Sequence, residues 1–400
     1  MKTADIISLH PGKQHNLEQA EQLIKYFDSF RHITSFAVSQ DTLRKYRFLP
    51  SAILEEMKKR SVNRKLAAHT DLFPLYEFLY KLKRFFNKAL EYDDFFLKRN
   101  RYFQRKFLKK YKPSRIFIGF DNGSELVFEQ WKGKSVLILD LTIAIPQYKR
   151  KLAEKYDLSE EAISNLTKLD DVWYQTYERE LTLADYILCG SEFVKDSCIY
   201  FGVPHEKLVV IPYGANLEKF QPLVLPEARK DTPFKIAFVG NVSYRKGADV
   251  LLKAWKEIFA RYEDAELHFY GNMQIDTAGY NLKNVFFHGF ILQDELIRNL
   301  SESHVSILPT FFEGSSYAIY QSMALGLAVV TTQNCGSIVK HRENGIIIEY
   351  GSVAQIIDAV SILKEQRDLR LRLSNNAMRD VRDYSWESYG VKLKNFISGI

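Results

Sequence analysis

The chain of 400 residues is longer than one hydrophobic core normally organises, so its length predicts two domains. An apolar fraction of 46% predicts globular folding and excludes a largely disordered chain. The net charge of +7 is only mildly basic, and no apolar run approaches the ~20 residues that cross a bilayer, so no membrane-spanning segment is predicted.

In the first half of the chain, helical and strand patterns alternate. Apolar residues recur at spacings of three and four over residues 17–27, 52–66, 75–90 and 95–111, which predicts four helices. Short β-branched or apolar runs at 6–8, 115–119, 135–139, 184–191 and 209–212 are typical of strands buried on both faces. Such strands, separated by helices, predict a parallel sheet.

The basic segment 97–116 contains nine lysines and arginines and no acidic residue. It also carries Phe103, Phe107 and Leu108 at near-helical spacing. One interpretation is a solvated helix whose apolar stripe is buried in the domain. The other is an amphipathic helix that meets an anionic membrane surface and places the protein on its inner face. Nucleic-acid binding is not expected, since no recognised module accompanies the charge.

The three cysteines, Cys189, Cys198 and Cys335, have neither paired spacing nor the pattern of metal ligands. The first residues lack the apolar core of a secretory signal. We therefore expect reduced thiols in a cytoplasmic protein, either soluble or peripheral on a membrane.

The helical and strand patterns lapse between residues 221 and 233, where Pro222, Pro226 and Pro233 stand among charged residues and predict a linker. Beyond it, strand runs at 236–239, 267–270, 285–288, 305–308, 328–332 and 346–349 alternate with helices such as 247–261, 294–301 and 317–325. We therefore predict an α/β protein of two Rossmann-like, doubly wound domains, 1–220 and 234–384, that face a cleft. Ligand sites are expected at the carboxyl ends of the strands.

Residues 308–330 form the most informative segment. A strand is followed by a loop that presents Glu313, and residues 314–316 then open a helix. The free amide groups and positive dipole at the start of that helix favour a phosphate group. Glu313 can accept hydrogen bonds from sugar hydroxyls, and Gln321 lies roughly 12 Å along the helix, where a ribose would be met.

Residues 238–255 form a second segment, in which the cationic pair Arg245 and Lys246 lies between a strand end and a helix. Such a pair suits a departing nucleoside diphosphate, whose growing negative charge must be stabilised.

Together the two segments resemble the retaining glycosyltransferases of family 4 (glycosyl transferases group 1), which have the GT-B fold. In that family the first segment reads approximately P-S-x-x-E-G-F-G, four residues, then E-A-M-A-x-G-x-P-V-V. The matching residues are Pro309, Glu313, Gly314, Met323, Ala324, Gly326, Val329 and Val330. The second reads V-G-R-x-x-x-x-K-G, and is matched at Gly240, Lys246 and Gly247. The likeness is strong from about residue 181 and weak before it.

The chain also departs from the family pattern. Gln321 stands in place of the second glutamate, Ser315 in place of an aromatic residue and Ala328 in place of a proline. Gln321 keeps an acceptor oxygen for a ribose hydroxyl but loses a charge-assisted bond, so lower donor affinity is expected. Asn241 stands where the family has arginine, and Arg245 is expected to supply the missing charge.

The resemblance implies roles for these residues. Glu313, Lys246 and Arg245 are the predicted catalytic residues. The predicted donor-binding residues are Gly240, Asn241, Gly314, Ser315, Ser316, Tyr317, Ala318 and Gln321. The resemblance also predicts that a terminal helix at 385–400 packs back on the first domain. No zinc spacing and no Asp-x-Asp motif is present, so neither a metal ion nor another cofactor is predicted.

Three residues of the first domain are candidates for the acceptor side of the cleft. Gly12 and His15 follow the opening strand, and Asp140 follows a later one. Gly12 would let the backbone approach a phosphate or a sugar. The alternatives are a solvated or capping histidine at 15 and a helix cap at 140.

The predicted function is transfer of a sugar from a nucleoside-diphosphate sugar to an acceptor hydroxyl of a glycan or lipid-linked acceptor, with retention at the anomeric carbon, as in a hexosyltransferase-type enzyme. The alternative is a weak or inactive relative that binds a nucleotide sugar or serves as a partner subunit. A nicotinamide-dependent oxidoreductase is disfavoured, because no G-x-G-x-x-G follows a predicted strand.

Overall fold

A computed structural model describes residues 1–12, 14–46, 48–49, 54, 57–75, 77, 79, 92–158, 162–163, 166 and 171–400. The described residues form two α/β domains, each built on a parallel sheet, which confirms the predicted fold class.

The first domain contains nine described strands. They are β1 (Ile6–Leu9), β2 (Phe30–Thr34), β3 (Val38–Ser39), β4 (Ser61–Val62), β5 (Thr70–Leu72), β6 (Ile116–Phe120), β7 (Val136–Leu141), β8 (Tyr186–Cys189) and β9 (Leu208–Val210). Seven of them form one sheet in the order β5-β2-β1-β6-β7-β8-β9, and β3 pairs with β4 separately. The described strand pairings of the seven-stranded sheet are all parallel. The carboxyl ends of β1 and β7 therefore lie on one edge.

Helices cover both faces of this sheet. Those described are α1 (Asn16–Tyr26), α2 (Gln40–Lys45), α3 (Arg64–Ala68), α4 (Tyr92–Lys110), α5 (Glu125–Trp131), α6 (Tyr148–Lys155), α7 (Asp171–Leu183) and α8 (Glu192–Tyr200). All five residues of β6 are buried, as expected for a central strand covered on both sides.

One helix prediction is wrong in part. Within the predicted helix 52–66, Ser61 and Val62 form strand β4, and a new helix begins only at Arg64. Asn63 marks the break, since its side chain accepts a hydrogen bond from the Leu66 amide and caps the start of α3. Residues 52, 53, 55 and 56 and most of the predicted helix 75–90 lie outside the described residues.

The second domain confirms the six strands predicted for it. They are β10 (Phe234–Val239), β11 (Ala265–Tyr270), β12 (Val285–Phe287), β13 (Val305–Leu308), β14 (Ala328–Thr332) and β15 (Ile346–Ile348). They form one sheet in the order β12-β11-β10-β13-β14-β15. The helices are α9 (Ala248–Arg261), α10 (Gln293–Ser301), α11 (Tyr317–Ala324), α12 (Val353–Glu365) and α13 (Arg367–Asp380).

The terminal helix α14 (Trp386–Ser398) packs on the first domain. Tyr389, Leu393 and Ile397 are buried in one cluster with Leu17 and Leu23 of α1. The terminal helix therefore contributes side chains to the hydrophobic core of the first domain.

The segment between the sheets is held against the second domain by Arg229. This guanidinium is buried and donates to the carbonyl oxygens of Ser301, Leu325 and Gly326. These oxygens lie at the carboxyl ends of α10 and α11, where a cation is favoured. Hydrogen bonds from Arg229 thus fix the segment 221–233 to the second domain.

Helix α4 carries most of the basic segment. Its apolar residues Leu97, Phe103 and Phe107 are buried in the core of the first domain, which leaves mainly basic side chains on the outer face. Within the described parts of the chain, α4 included, no helix has both the length and the hydropathy needed to cross a bilayer.

A buried carboxylate, Glu180, organises the start of α5. It accepts hydrogen bonds from the backbone N–H groups of Asn122, Ser124 and Glu125 at 2.7 to 3.0 Å, and it is fully buried. The first N–H groups of a helix have no partner within the helix, so Glu180 of α7 supplies it.

We predict that Glu180→Ala lowers the free energy of unfolding of the first domain by about 3 kcal/mol or more, because buried N–H groups lose their acceptor. Urea denaturation of the variant and of the exposed control Glu178→Ala measures this. An equal, small effect in both variants would contradict the assigned role.

Candidate functional site

The two sequence segments converge because their strands, β10 and β13, are neighbours in the second sheet. The chain turns after each strand, and Gly247 lies directly against Pro309. A Cβ atom on Gly247 would overlap the Pro309 carbonyl oxygen, and φ of Gly247 is +73°, a conformation that favours glycine. This close approach brings the cations before Gly247 to the loop after Pro309.

Glu313 lies between the two cations. Arg245 Nη1 donates to Glu313 Oε1 and to the Phe312 carbonyl oxygen, both at 2.7 Å. Lys246 Nζ is 3.2 Å from the same carboxylate oxygen. Burial disfavours the charged carboxylate, but the two cations outweigh that effect and hold the pKa of Glu313 below its ordinary value. The three predicted catalytic residues are thus in direct contact.

Two further predicted donor residues flank this cluster. The Lys246 side chain passes over Gly240 at the end of β10, where a Cβ atom would lie 2.8 Å from Nζ. Asn241 is exposed beside it.

The start of α11 faces the same loop. Ser316 occupies the position before the helix, but its side chain makes no capping hydrogen bond. The Ser315 hydroxyl is instead paired with the Tyr320 hydroxyl at 3.0 Å. The first amides of the helix, from Tyr317 and Ala318, are therefore left uncapped by these side chains, as an anion site requires.

Gln321 lines a cavity of about 950 Å³ that lies between the domains. Tyr317 and the exposed Phe290 belong to the wall from the second domain, and Gln14 and Glu18 to the wall from the first. A cavity of this size is comparable to those that hold nucleotide-sized ligands.

The two domains touch at the loop beside Glu313. Ser191 Oγ of the first domain donates to the Gly314 carbonyl oxygen at 2.5 Å. A Cβ atom on Gly314 would overlap the Thr142 carbonyl oxygen, which follows β7. Only glycine fits this contact without a shift of one domain.

His15 and Asp140 are brought together at the strand ends of the first domain. Their side chains are buried, and His15 Nε2 lies 2.7 Å from Asp140 Oδ2. Gln19 also donates to Asp140, at 2.7 Å. Burial alone would raise the pKa of Asp140. The effect of His15 and of the hydrogen bonds is larger and holds that pKa below its ordinary value. The His15 ring stacks on Tyr213, which in turn stacks on Tyr317 of the second domain.

Gly12, the third acceptor-side candidate, lies beside His10 rather than beside His15. Its amide donates to His10 Nδ1 at 3.1 Å. Burial, with smaller contributions from nearby positive groups, lowers the pKa of His10 to about 3, so this imidazole is neutral at neutral pH.

The sequence pattern did not single out the residues with which the first domain approaches the Glu313 loop. Lys149 Nζ lies 5.2 Å from the Phe312 ring centre, and Tyr156 donates to Asn334 at 3.3 Å. Neither residue belongs to a motif. The one available signal is position, since α6 follows directly after the carboxyl end of β7.

Residues 233–366, which include Glu313 and both cations, match the profile of the family described as glycosyl transferases group 1. The second domain is similar to the glycosyl transferases group 1 over these residues. The match covers the second sheet from β10 to the end of α12, so the resemblance to the glycosyl transferases group 1 that the two motifs predict is confirmed.

Curated relatives are matched over part of their length. An uncharacterized glycosyltransferase of Methanocaldococcus jannaschii is 26% identical over 242 residues, which are 56% of this chain and 61% of that protein. The amylovoran biosynthesis glycosyltransferase AmsK of Erwinia amylovora is 28% identical over 205 residues, which are 48% of this chain and 50% of that protein. The chain thus spans about half of these relatives.

Solved structures show that the likeness in fold extends over both domains. Sucrose-phosphate synthase from Thermosynechococcus elongatus superposes with a TM-score of 0.67 at 15% identity and covers 98% of both chains. HepE of Anabaena, in complex with UDP and glucose, superposes with a TM-score of 0.63 at 14% identity over 99% of this chain and 100% of that one. The chain has the GT-B fold.

We predict that Gly314→Ala separates the two domains of this glycosyltransferase fold, because the new methyl group overlaps the Thr142 carbonyl oxygen. The melting temperature should fall by an amount equivalent to about 1–3 kcal/mol, and the radius of gyration should rise. Calorimetry and small-angle X-ray scattering measure these changes. The control is Gly399→Ala, whose Cβ atom meets its nearest neighbour at 3.5 Å. If both variants scatter alike, the domains do not rest on this contact.

Proposed function

We propose that this protein transfers a sugar from a nucleoside-diphosphate sugar to a hydroxyl group of a glycan or lipid-linked acceptor. The observation that carries the proposal is the position of Glu313. It lies between Arg245 and Lys246 in the loop that precedes α11, and this loop contacts the first domain. One loop region thus contains a carboxylate that can accept hydrogen bonds from sugar hydroxyls, two cations that can bind phosphates, and a helix start whose first amides are uncapped.

In this proposal the donor extends along the cavity. Its nucleoside lies toward Gln321 and Phe290, which line the cavity wall. Its diphosphate lies between the amides of Tyr317 and Ala318 and the two cations. Its sugar then reaches Glu313. Support comes from HepE, which has the same fold and whose structure contains UDP and glucose.

Binding of the donor would exchange the partners of the cations. Arg245 and Lys246 both pair with the single carboxylate of Glu313 in this structure. Phosphate oxygens form stronger, charge-assisted contacts with them, which releases the carboxylate to the sugar hydroxyls. As the sugar–phosphate bond breaks, the cations stabilise the charge on the leaving diphosphate. We propose that the positive charge of Arg245 and Lys246 makes a metal ion unnecessary.

We propose that the sugar is transferred with retention, on the strength of the resemblance to the family 4 enzymes. The leaving phosphate itself helps to deprotonate the acceptor, and no side chain is assigned as a general base. Gly12, His15 and Asp140 are proposed to contact the acceptor. Closure of the domains excludes water, which protects the donor from hydrolysis.

We also propose a peripheral location on the inner face of a membrane, in the synthesis of a bacterial surface polysaccharide. The relative in Erwinia amylovora is named for amylovoran biosynthesis, which supports this setting. The exposed basic side chains of α4 would attract anionic lipid without insertion, because its apolar stripe is buried.

Calorimetric titration tests the donor site. We expect one of UDP, GDP or ADP, or one of their sugar conjugates, to bind in the presence of EDTA, and Lys246→Ala to weaken that binding at least tenfold because a phosphate contact is lost. The matched control is Lys256→Ala, which removes an exposed lysine from α9. If no nucleotide binds, the partner-subunit interpretation replaces this proposal.

A second prediction separates the roles of the loop. Glu313→Gln removes the carboxylate that competes with phosphate for Arg245 and Lys246, so affinity for the nucleoside diphosphate should be kept or increase several-fold. Transfer of the sugar should fall at least 100-fold, on the order expected for losing a contact to the reacting sugar. Titration and a turnover assay measure the two effects. Unchanged turnover would remove Glu313 from the mechanism.

A further inference from the structure

The cations around Glu313 outnumber the carboxylates. Within the described parts of the chain, Arg245 and Lys246 form ion pairs with Glu313 and with no other carboxylate. The family arginine is replaced by Asn241, which lies exposed and adds no charge. The site therefore has a surplus of one positive charge from the second domain alone.

The first domain adds a further cation, Lys149. It lies on α6, and its Nζ is 5.2 Å from the centre of the Phe312 ring. Phe312 directly precedes Glu313, and its carbonyl oxygen accepts the hydrogen bond from Arg245. Lys149 thus approaches from one domain the same residue that Arg245 holds from the other.

Lys149 has no carboxylate partner among the residues that the structure describes. The Phe312 ring supplies a cation–π contact, which does not neutralise the charge. Burial, together with the nearby positive charge of Arg245, lowers the pKa of the Lys149 amine to about 8. The amine is therefore placed where its own charge is disfavoured.

Its neighbours on α6 differ. Lys151 is exposed and lies over the rings of Tyr148 and Tyr200. Lys155 pairs with Glu349 at 3.7 Å. Of the three lysines on α6, only Lys149 is both partly buried and without a counter-ion among the described residues. Like charges collected in this way are stable where an anion joins them.

We infer that Lys149 is a diphosphate-binding residue that the first domain contributes to the donor site, beside Arg245 and Lys246. This inference rests on the proposed function. It has a structural consequence, because the phosphate site is complete only while the two domains are in contact. Binding of the diphosphate would then stabilise the closed arrangement of the domains.

Titrations with a nucleoside diphosphate and with the corresponding nucleoside test the inference. UDP, GDP and ADP, and then uridine, guanosine and adenosine, are titrated into the wild type, Lys149→Met, Lys149→Arg and the control Lys151→Met. We expect Lys149→Met to weaken the diphosphate about tenfold or more, to leave the nucleoside unchanged and to be largely rescued by Lys149→Arg. A merely structural role would weaken both ligands alike.

Small-angle scattering provides a second measurement. The diphosphate should lower the radius of gyration or raise the melting temperature of the wild type more than of Lys149→Met. If the wild type binds a diphosphate, Lys246→Ala loses it and Lys149→Met behaves like Lys151→Met, the inference is overturned and the proposed function stands. If neither the wild type nor any variant binds a diphosphate, both fall together.

Discussion

The ion pairs of Glu313 depend on the contact between Gly247 and the Pro309 carbonyl oxygen. Strands β10 and β13 are parallel neighbours, so the turns that follow them meet at one edge of the sheet. The two turns could not approach each other this closely if residue 247 had a side chain. The distance between the cations and the carboxylate is therefore set by backbone packing, and long side chains need only a short reach. A site defined in this way keeps its geometry before any ligand arrives, which lowers the cost of ordering it.

Much of the second domain could be predicted, because parallel strands buried on both faces leave uninterrupted apolar runs such as Val305–Leu308. Glu313 and Lys246 could be recognised by their spacing to glycines. Short strands such as Ser61–Val62 carry too few residues to show a period, so the first domain was predicted less well. Lys149 belongs to no motif and reaches the Glu313 loop only through the tertiary packing of α6 against Phe312. Contacts between domains leave no local periodicity in a sequence.

The interface between the domains combines apolar and polar contacts around one loop. Phe311 and Phe312 of the second domain are buried in the core cluster of the first. Ser191 meets the backbone of the same loop. Apolar burial supplies attraction without direction, whereas the hydrogen bond and the glycine contact fix the position. The loop that carries Glu313 is thus also the place where the domains recognise each other, so substrate contact and domain contact share residues.

Arg229 decides which part of the chain can bend. Because it ties the segment 221–233 to the ends of two helices of the second domain, that segment travels with the second domain. The chain enters the second domain earlier, near Ala215, which is buried in the core of that domain and whose amide donates to the Tyr384 carbonyl oxygen at 2.8 Å. The segment that leads from the first domain to the second thus lies beside the segment that leads back to the first domain. Because the two crossings are joined at one place, any displacement of one domain relative to the other must be taken up by both crossings together.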